Sequence, residues 1–287
     1  MVDHAVHISR PARRDTCVVF ASPHSGRNYP PSFLERSVLG ESAIRSSEDA
    51  FVDRLFDSAP AHGAPLVCAR VPRAFVDLNR SADELDPALI EGVRQTGHNP
   101  RVASGLGVVP RVVANGQAIY RGKITRAEAE GRIARYWRPY HAALRDEVAR
   151  AQADFGRAIL IDCHSMPHEA MDQVARSGHR RAEVVLGDRF GAAAAEEVVD
   201  RVEQAFRDAG LAVARNTPFA GAFVVQHYGR PVAGCHALQI EIDRALYMDE
   251  RTIRPTPGFA AFKRLLEGVI ADIAAIGRPA ARSLAAE

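Results

Sequence analysis

The feature that most restricts the fold is an alternation that runs along almost the whole chain. Short apolar, β-branched runs recur at Thr16 to Ala21, Pro65 to Val71, Ala74 to Leu78, Ala158 to Cys163, Glu183 to Gly187, Leu211 to Arg215 and Ala237 to Ile242, and such runs bounded by turn residues read as buried strands. Helical patterns lie between them. One starts after Ser47 and carries Glu48 and Asp49 in its first turn. A long one enters through a capping box at Thr125 and Glu128, with a kink expected at Pro139. Two more span Ala192 to Ala209, stopped by Gly210, and Phe259 to Ile276. Strands alternating with helices predict an α/β layered fold whose largely parallel sheet is covered on both faces. No linker divides the 287 residues, so a single domain over 1–287 is expected. The stretch from Ser81 to Tyr120, rich in Gly, Pro, Asn and Arg, reads as a long surface excursion.

Composition removes several classes of function. Lys and Arg number 37 against 35 Asp and Glu, a net charge of +2, too balanced for a nucleic-acid binder. No apolar run reaches the roughly 20 residues of a membrane span, and the first fifteen residues hold no signal-like apolar segment. A cytoplasmic protein with no nucleic-acid or membrane partner is expected, and a homo-oligomer is compatible with the chain. The four cysteines, Cys17, Cys68, Cys163 and Cys235, lie in or beside apolar runs without paired spacing and read as buried free thiols. Nearly all the positive charge is arginine, whose planar fork suits a small carboxylate substrate.

Polar residues gather where strands end, the place where open α/β sheets bind ligands. His24 follows the first strand in a Pro-His-Ser-Gly turn, and His164 follows the run Leu160 to Cys163, with Asp162 or a carbonyl able to hold its second ring nitrogen. A histidine at a strand end is commonly a hydrogen-bonded structural residue. Two in matching contexts, with one carboxylate, would make a catalytic zinc site with a position left for water. Glu241 interrupts an apolar strand and must be paired, exposed on an edge strand, or functional. Asp77, Leu78, Asn79 and Arg80 form a further cluster, in which Arg80 either grips a carboxylate or pairs with Asp83 or Glu84 on the surface. His168, His179, His227 and His236 read as ordinary loop residues.

Taken together, the Pro23 to Gly26 turn, Ser47-Glu48-Asp49, Asp77 to Arg80, Asp162 to Pro167 and the Glu241 to Glu250 stretch resemble the N-formylglutamate amidohydrolase family, in order from about residue 16 to 255. That family is similar to the zinc carboxypeptidase-like hydrolases. The resemblance implies a three-layer α/β/α sandwich with a mixed, largely parallel sheet, of phosphorylase/hydrolase-like type. It implies one Zn2+ per chain, another divalent metal being compatible, held by His24, His164 and an acidic residue. In the relatives that acid stands three residues after the first histidine, where this chain has Arg27. Asp49 is the choice here, with Glu48 as its alternative. The resemblance further implies Glu241 as the catalytic acid/base, Asn79 and Arg80 as the substrate carboxylate site, and Arg73 and Arg244 as candidates for a second carboxylate. The implied reaction is cleavage of the formyl amide of N-formyl-L-glutamate to formate and glutamate, a step of histidine degradation. The alternatives are a zinc deacylase for another N-acyl amino acid or peptide amide, and a non-catalytic carboxylate-binding protein on the same fold.

Overall fold

The computed structural model describes residues 5–94, 99–172 and 180–279, which form a seven-stranded mixed sheet with helices against it. The strands are β1 (Val6–Ser9), β2 (Val18–Ser22), β3 (Leu66–Ala69), β4 (Ala158–Met166), β5 (Val184–Gly187), β6 (Val213–Arg215) and β7 (Cys235–Asp243). Their order is β1-β3-β2-β4-β7-β5-β6. β3, β2, β4 and β7 run parallel, β1 and β5 lie antiparallel to β3 and β7, and β6 is parallel to β5. Central strands of such a sheet have no solvent face, which is why β2 and β4 are buried at every residue.

Two groups of helices complete the three-layer α/β sandwich. Arg138–Phe155 packs along β1 to β4, and Phe223–Tyr228 on β4 and β7; Glu196–Asp208 packs on Phe259–Ile276, and the pair reaches β5, β6 and β2. The last helix buries Phe259, Phe262, Leu266, Val269, Ile270 and Ile273 at helical spacing. Each such side chain contributes about 2 kcal/mol when fully removed from water. All four cysteines are free thiols, three of them buried and Cys235 half-buried.

Several elements differ from the sequence reading, each for a local physical reason. After Ser47 the helix starts only at Val52, runs to Leu55 and is followed by a 3-10 turn at Ala59–His62, because Phe51 takes a left-handed φ of 67° and the Asp49 amide donates to His24 O at 3.1 Å. Glu48 and Asp49 therefore sit in a loop, not in a helical first turn. Ala74 to Leu78 is no strand: the Phe75 and Val76 amides fold back to Pro72 O in a turn, and Pro72 itself has no amide to donate to a ladder. His164, Ser165 and Met166, expected in a turn, continue β4. At Pro139 the helix from Arg126 does not break but passes through a π-helical segment, Ile133–Trp137, which accommodates the ring and the lost amide. The described part of the 81–120 stretch contains one short helix, Pro100–Ala103, capped by the Asn99 side chain.

Candidate active site

Parallel pairing of β4 with β7 sets His164 opposite Glu241 and Asp162 opposite Gln239. Side chains alternate across a sheet, so these four polar residues share one face while Cys163, Ile240 and Ile242 share the other. β7 lies between β4 and β5, which removes the edge-strand explanation for Glu241. Its carboxyl is buried, and Gln239 Nε2 donates to its Oε1 at 2.8 Å. Burial, reinforced by the nearby Asp49 carboxylate, pushes the Glu241 carboxyl up to about 7, although His164, Arg73 and Arg244 oppose the rise.

His24 reaches the same place from the end of β2. The turn that carries it is pinned by a hydrogen bond between Ser22 and Ser25 at 2.8 Å. It runs so close to Val71 that a Cβ on Gly26 would stand 2.0 Å from the Val71 carbonyl oxygen, so only glycine fits. The bond from the Asp49 amide to His24 O draws Asp49 in beside it. The two imidazoles lie 4.7 Å apart, centroid to centroid. Asp49 Oδ2 stands 3.4 Å from His24 Nδ1 and 2.8 Å from His164 Nδ1.

This geometry fits a divalent cation. One ligand atom from each of His24, Asp49 and His164 lies within 4.8 Å of the others, and a tetrahedral zinc with bonds of about 2 Å spaces its ligand atoms by about 3.3 Å. His24 Nδ1 is buried and makes no hydrogen bond, as a nitrogen kept for a metal would be. The opposite ring nitrogens are held by carboxylates: His24 Nε2 donates to Asp77 Oδ1 at 2.7 Å and His164 Nε2 to Asp162 Oδ2 at 2.9 Å. Carboxylates behind histidines fix the tautomer and strengthen the ligand nitrogen. Burial works against charge here, yet the hydrogen bond from His164 and the nearby His24 ring hold Asp49 well below the usual carboxylate range. Burial likewise opposes a charged His164, yet Asp162 and Asp49 hold its ring well above the ordinary histidine value.

The other candidates divide. Glu48 is not in the cluster; its carboxylate accepts from Arg45 Nε and Nη2 and from Tyr29. Arg27 stands on the surface, paired with Asp53 at 2.9 Å. Asn79 is buried, its Nδ2 donating to Asp162 Oδ2 at 3.2 Å and its Oδ1 accepting from the Val224 amide at 2.7 Å. Its amide thus supports the Asp162–His164 pair. Arg80 is buried, 4.0 Å from both Asp77 and Glu84 and not ion-paired to Asp83 on the surface. Arg73 Nε donates to Asp77 Oδ2 at 3.0 Å. Arg244 Nη2 donates to Asp49 Oδ1 at 3.0 Å and its Nε to Ser165 at 3.3 Å, beside a cavity of about 340 Å3 that Arg45, Glu48 and Glu250 also line.

Sequence reasoning gave Asp77 and Gln239 no function, although Gln239 precedes Glu241 by two residues, the signature of a shared strand face. It passed over His141, which is buried between the Leu78 carbonyl and Tyr228. His168 pairs with Asp243 at 2.7 Å, His227 stacks on Phe223 and His236 accepts from the Ala195 amide. His179 lies outside the described residues.

A family model described as N-formylglutamate amidohydrolase matches residues 16–248. The chain belongs to the N-formylglutamate amidohydrolase family. It is 30% identical over 242 residues to an N-formylglutamate deformylase of Pseudomonas aeruginosa, covering 82% of this chain and 83% of that protein. It is 26% identical over 267 residues to an N-formylglutamate deformylase of Pseudomonas putida, covering 88% and 92%. Among solved structures, an N-formylglutamate amidohydrolase from Ralstonia eutropha JMP134 superposes with a TM-score of 0.89 at 37% identity, over 96% of this chain and 98% of that one. A gene product from Agrobacterium tumefaciens shares the fold, with a TM-score of 0.63 at 18% identity over 95% of each chain. The family is one of hydrolases acting on amide bonds.

Proposed function

We propose that this chain is a zinc-dependent amidohydrolase that cleaves the formyl amide of N-formyl-L-glutamate to formate and glutamate. The observation that carries the reading is the buried His24, Asp49 and His164 cluster, with Glu241 aligned beside His164 across β4 and β7, in a chain of this family. His24 and His164 would hold the ion through Nδ1 and Asp49 through Oδ2. Bound zinc would polarise the formyl carbonyl and bring the pKa of water at the site to about 7.

The remaining work falls to the side chains. With Oε1 held by Gln239, Glu241 takes the proton of the attacking water at Oε2 and returns it to the departing amine nitrogen. A carboxyl pushed up to about 7 exchanges protons near neutral pH, as a general acid/base should. Asp77 and Asp162 keep both rings oriented through the cycle. Arg80 and Arg73 receive a substrate carboxylate and so align the formyl carbon with the water. Asn79 acts one step back, by fixing Asp162. The activity would serve histidine breakdown on a small acidic substrate in the cytoplasm.

Elemental analysis of the purified protein, with formate release from N-formyl-L-glutamate before and after chelation, tests the reading. About one zinc per chain and chelator-sensitive formate release are expected. Zinc without formate would move the substrate to another N-acyl amino acid, and a panel of N-acyl compounds would find it. No metal, and no activity after zinc is restored, would overturn the catalytic reading.

A further inference from the structure

The π-helical segment Ile133–Trp137 turns its flanking side chains onto the chain that carries Asp77, Asn79 and Arg80. Just before it, buried Arg132 donates from Nη1 to Phe75 O at 3.1 Å and lies 4.2 Å over the Phe75 ring. At its end, Trp137 Nε1 donates to Arg80 O at 2.8 Å. His141 donates from Nε2 to Leu78 O at 2.9 Å. In a regular α-helix five residues turn through about 500°, which would set Arg132 and Trp137 about 140° apart around the axis. Hydrogen bonds that close over one more residue widen the turn. The two side chains are thereby brought toward one face, and both reach the 75–80 segment.

Arg80 depends on support of this kind. Among the described residues no hydrogen bond engages its guanidinium: Nε is buried and unbonded, with Asp77 and Glu84 each 4.0 Å away. Asp77 is already committed, since it accepts from His24 Nε2, Arg73 Nε and the Asn79 amide. The guanidinium is therefore placed by its main chain, where the indole bond is the only hydrogen bond among the described residues. The indole is itself braced by Phe223, with ring centroids 5.8 Å apart. The next residue, Val224, donates its amide to Asn79 Oδ1 at 2.7 Å, so the segment is held from that side as well.

We propose that Trp137 is a positioning residue whose indole N–H, acting through the Arg80 carbonyl, sets the guanidinium that receives the substrate carboxylate, and that the π-helical segment is what delivers it there. The inference rests on the amidohydrolase reading of the site for the role of Arg80. Trp137 is the only tryptophan in the chain, so its indole gives a single spectroscopic report on this bond.

Trp137→Phe keeps an aromatic ring against Phe223 and removes the N–H. Wild type, Trp137→Phe, Arg80→Ala and the double variant are compared by formate release from N-formyl-L-glutamate. Trp137→Phe should raise KM by about 10-fold with kcat and zinc content retained. In the Arg80→Ala background the same change should cost less than about 2-fold, because the two residues act as one unit. Equal losses in both backgrounds, a loss in kcat alone, or no loss would overturn the inference. The second readout is the 15N–1H resonance of the indole, followed as L-glutamate is added to the zinc-loaded protein. It should shift in wild type and stay in place in Arg80→Ala, a result that does not need Trp137→Phe to fold. A resonance unmoved in wild type, or moved as far in Arg80→Ala, refutes the inference. Should wild type release no formate, the proposed reaction falls separately, and the indole resonance still decides the role of Trp137.

Discussion

The two halves of the site lack opposite charges. On the histidine side, Asp49, Asp77, Asp162 and Glu241 crowd around two imidazoles, all of them buried. A divalent cation, as proposed, would supply positive charge there. On the arginine side, Arg73 and Arg80 lie beside Asp77, with Glu84 4.0 Å from Arg80. A substrate carboxylate, as proposed, would supply negative charge there. Asp77 belongs to both halves, because one carboxylate accepts from His24 and from Arg73. Burial works against its charge, yet Arg73 and His24 hold it well below the usual carboxylate range. Under the proposed function, one half would take the metal and the other the substrate carboxylate, with Asp77 as their shared anchor.

Glu241→Gln tests the histidine side alone and carries the largest expected effect. It should reduce kcat by about 10^3-fold, within the range for a lost general acid/base, while elemental analysis still finds zinc. Full formate release by this variant would remove Glu241 from the chemistry.

Asp77→Asn strikes the shared anchor. Metal affinity should fall by about 10- to 100-fold, as for other carboxylates behind histidine ligands, and KM should rise in the protein saturated with zinc. A fall in metal affinity with KM untouched would mean that the two halves do not share this carboxylate.

The smallest effect concerns His141, which donates from Nε2 to the Leu78 carbonyl between Asp77 and Asn79. Burial lowers this imidazole to about 4. The unfolded chain takes up its proton near the ordinary 6.5, so the folded state binds fewer protons between these values. Stability is therefore full above about pH 6.5 and falls as pH drops toward 4, by up to about 3 kcal/mol at 1.36 kcal/mol per unit. Urea midpoints at two pH values should show a shallower decline in His141→Gln, with kcat/KM at neutral pH little changed. An identical decline in the variant would show that His141 does not titrate in this way.

The part of the site that was legible in the sequence is the part built by strands. His24 and His164 each stand at the end of an apolar β-branched run, and Glu241 interrupts another, so strand ends pointed to them. Gln239 and Glu241, two residues apart on one strand, share a face, which the pairing with β4 makes the face of Asp162 and His164. The arginine side was less legible. Asp77 to Arg80 looks like the end of a strand but is irregular chain held by the Pro72 turn and by Val108. Glu48 and Asp49 are adjacent acids in one loop. Only the bond of the Asp49 amide to His24 O, and the capture of Glu48 by Arg45 and Tyr29, separates them.

The sequence by itself determined the layered α/β fold, the positions of most of its strands and the residues that could bind a cation, because periodicity and turn chemistry act over a few neighbours. Tertiary structure alone decided that β7 lies inside the sheet, that Asp49 rather than Glu48 meets the histidines, and that one carboxylate, Asp77, joins His24 to Arg73. Those outcomes depend on register, on single backbone hydrogen bonds and on charges brought together across the fold, none of which has a local signature.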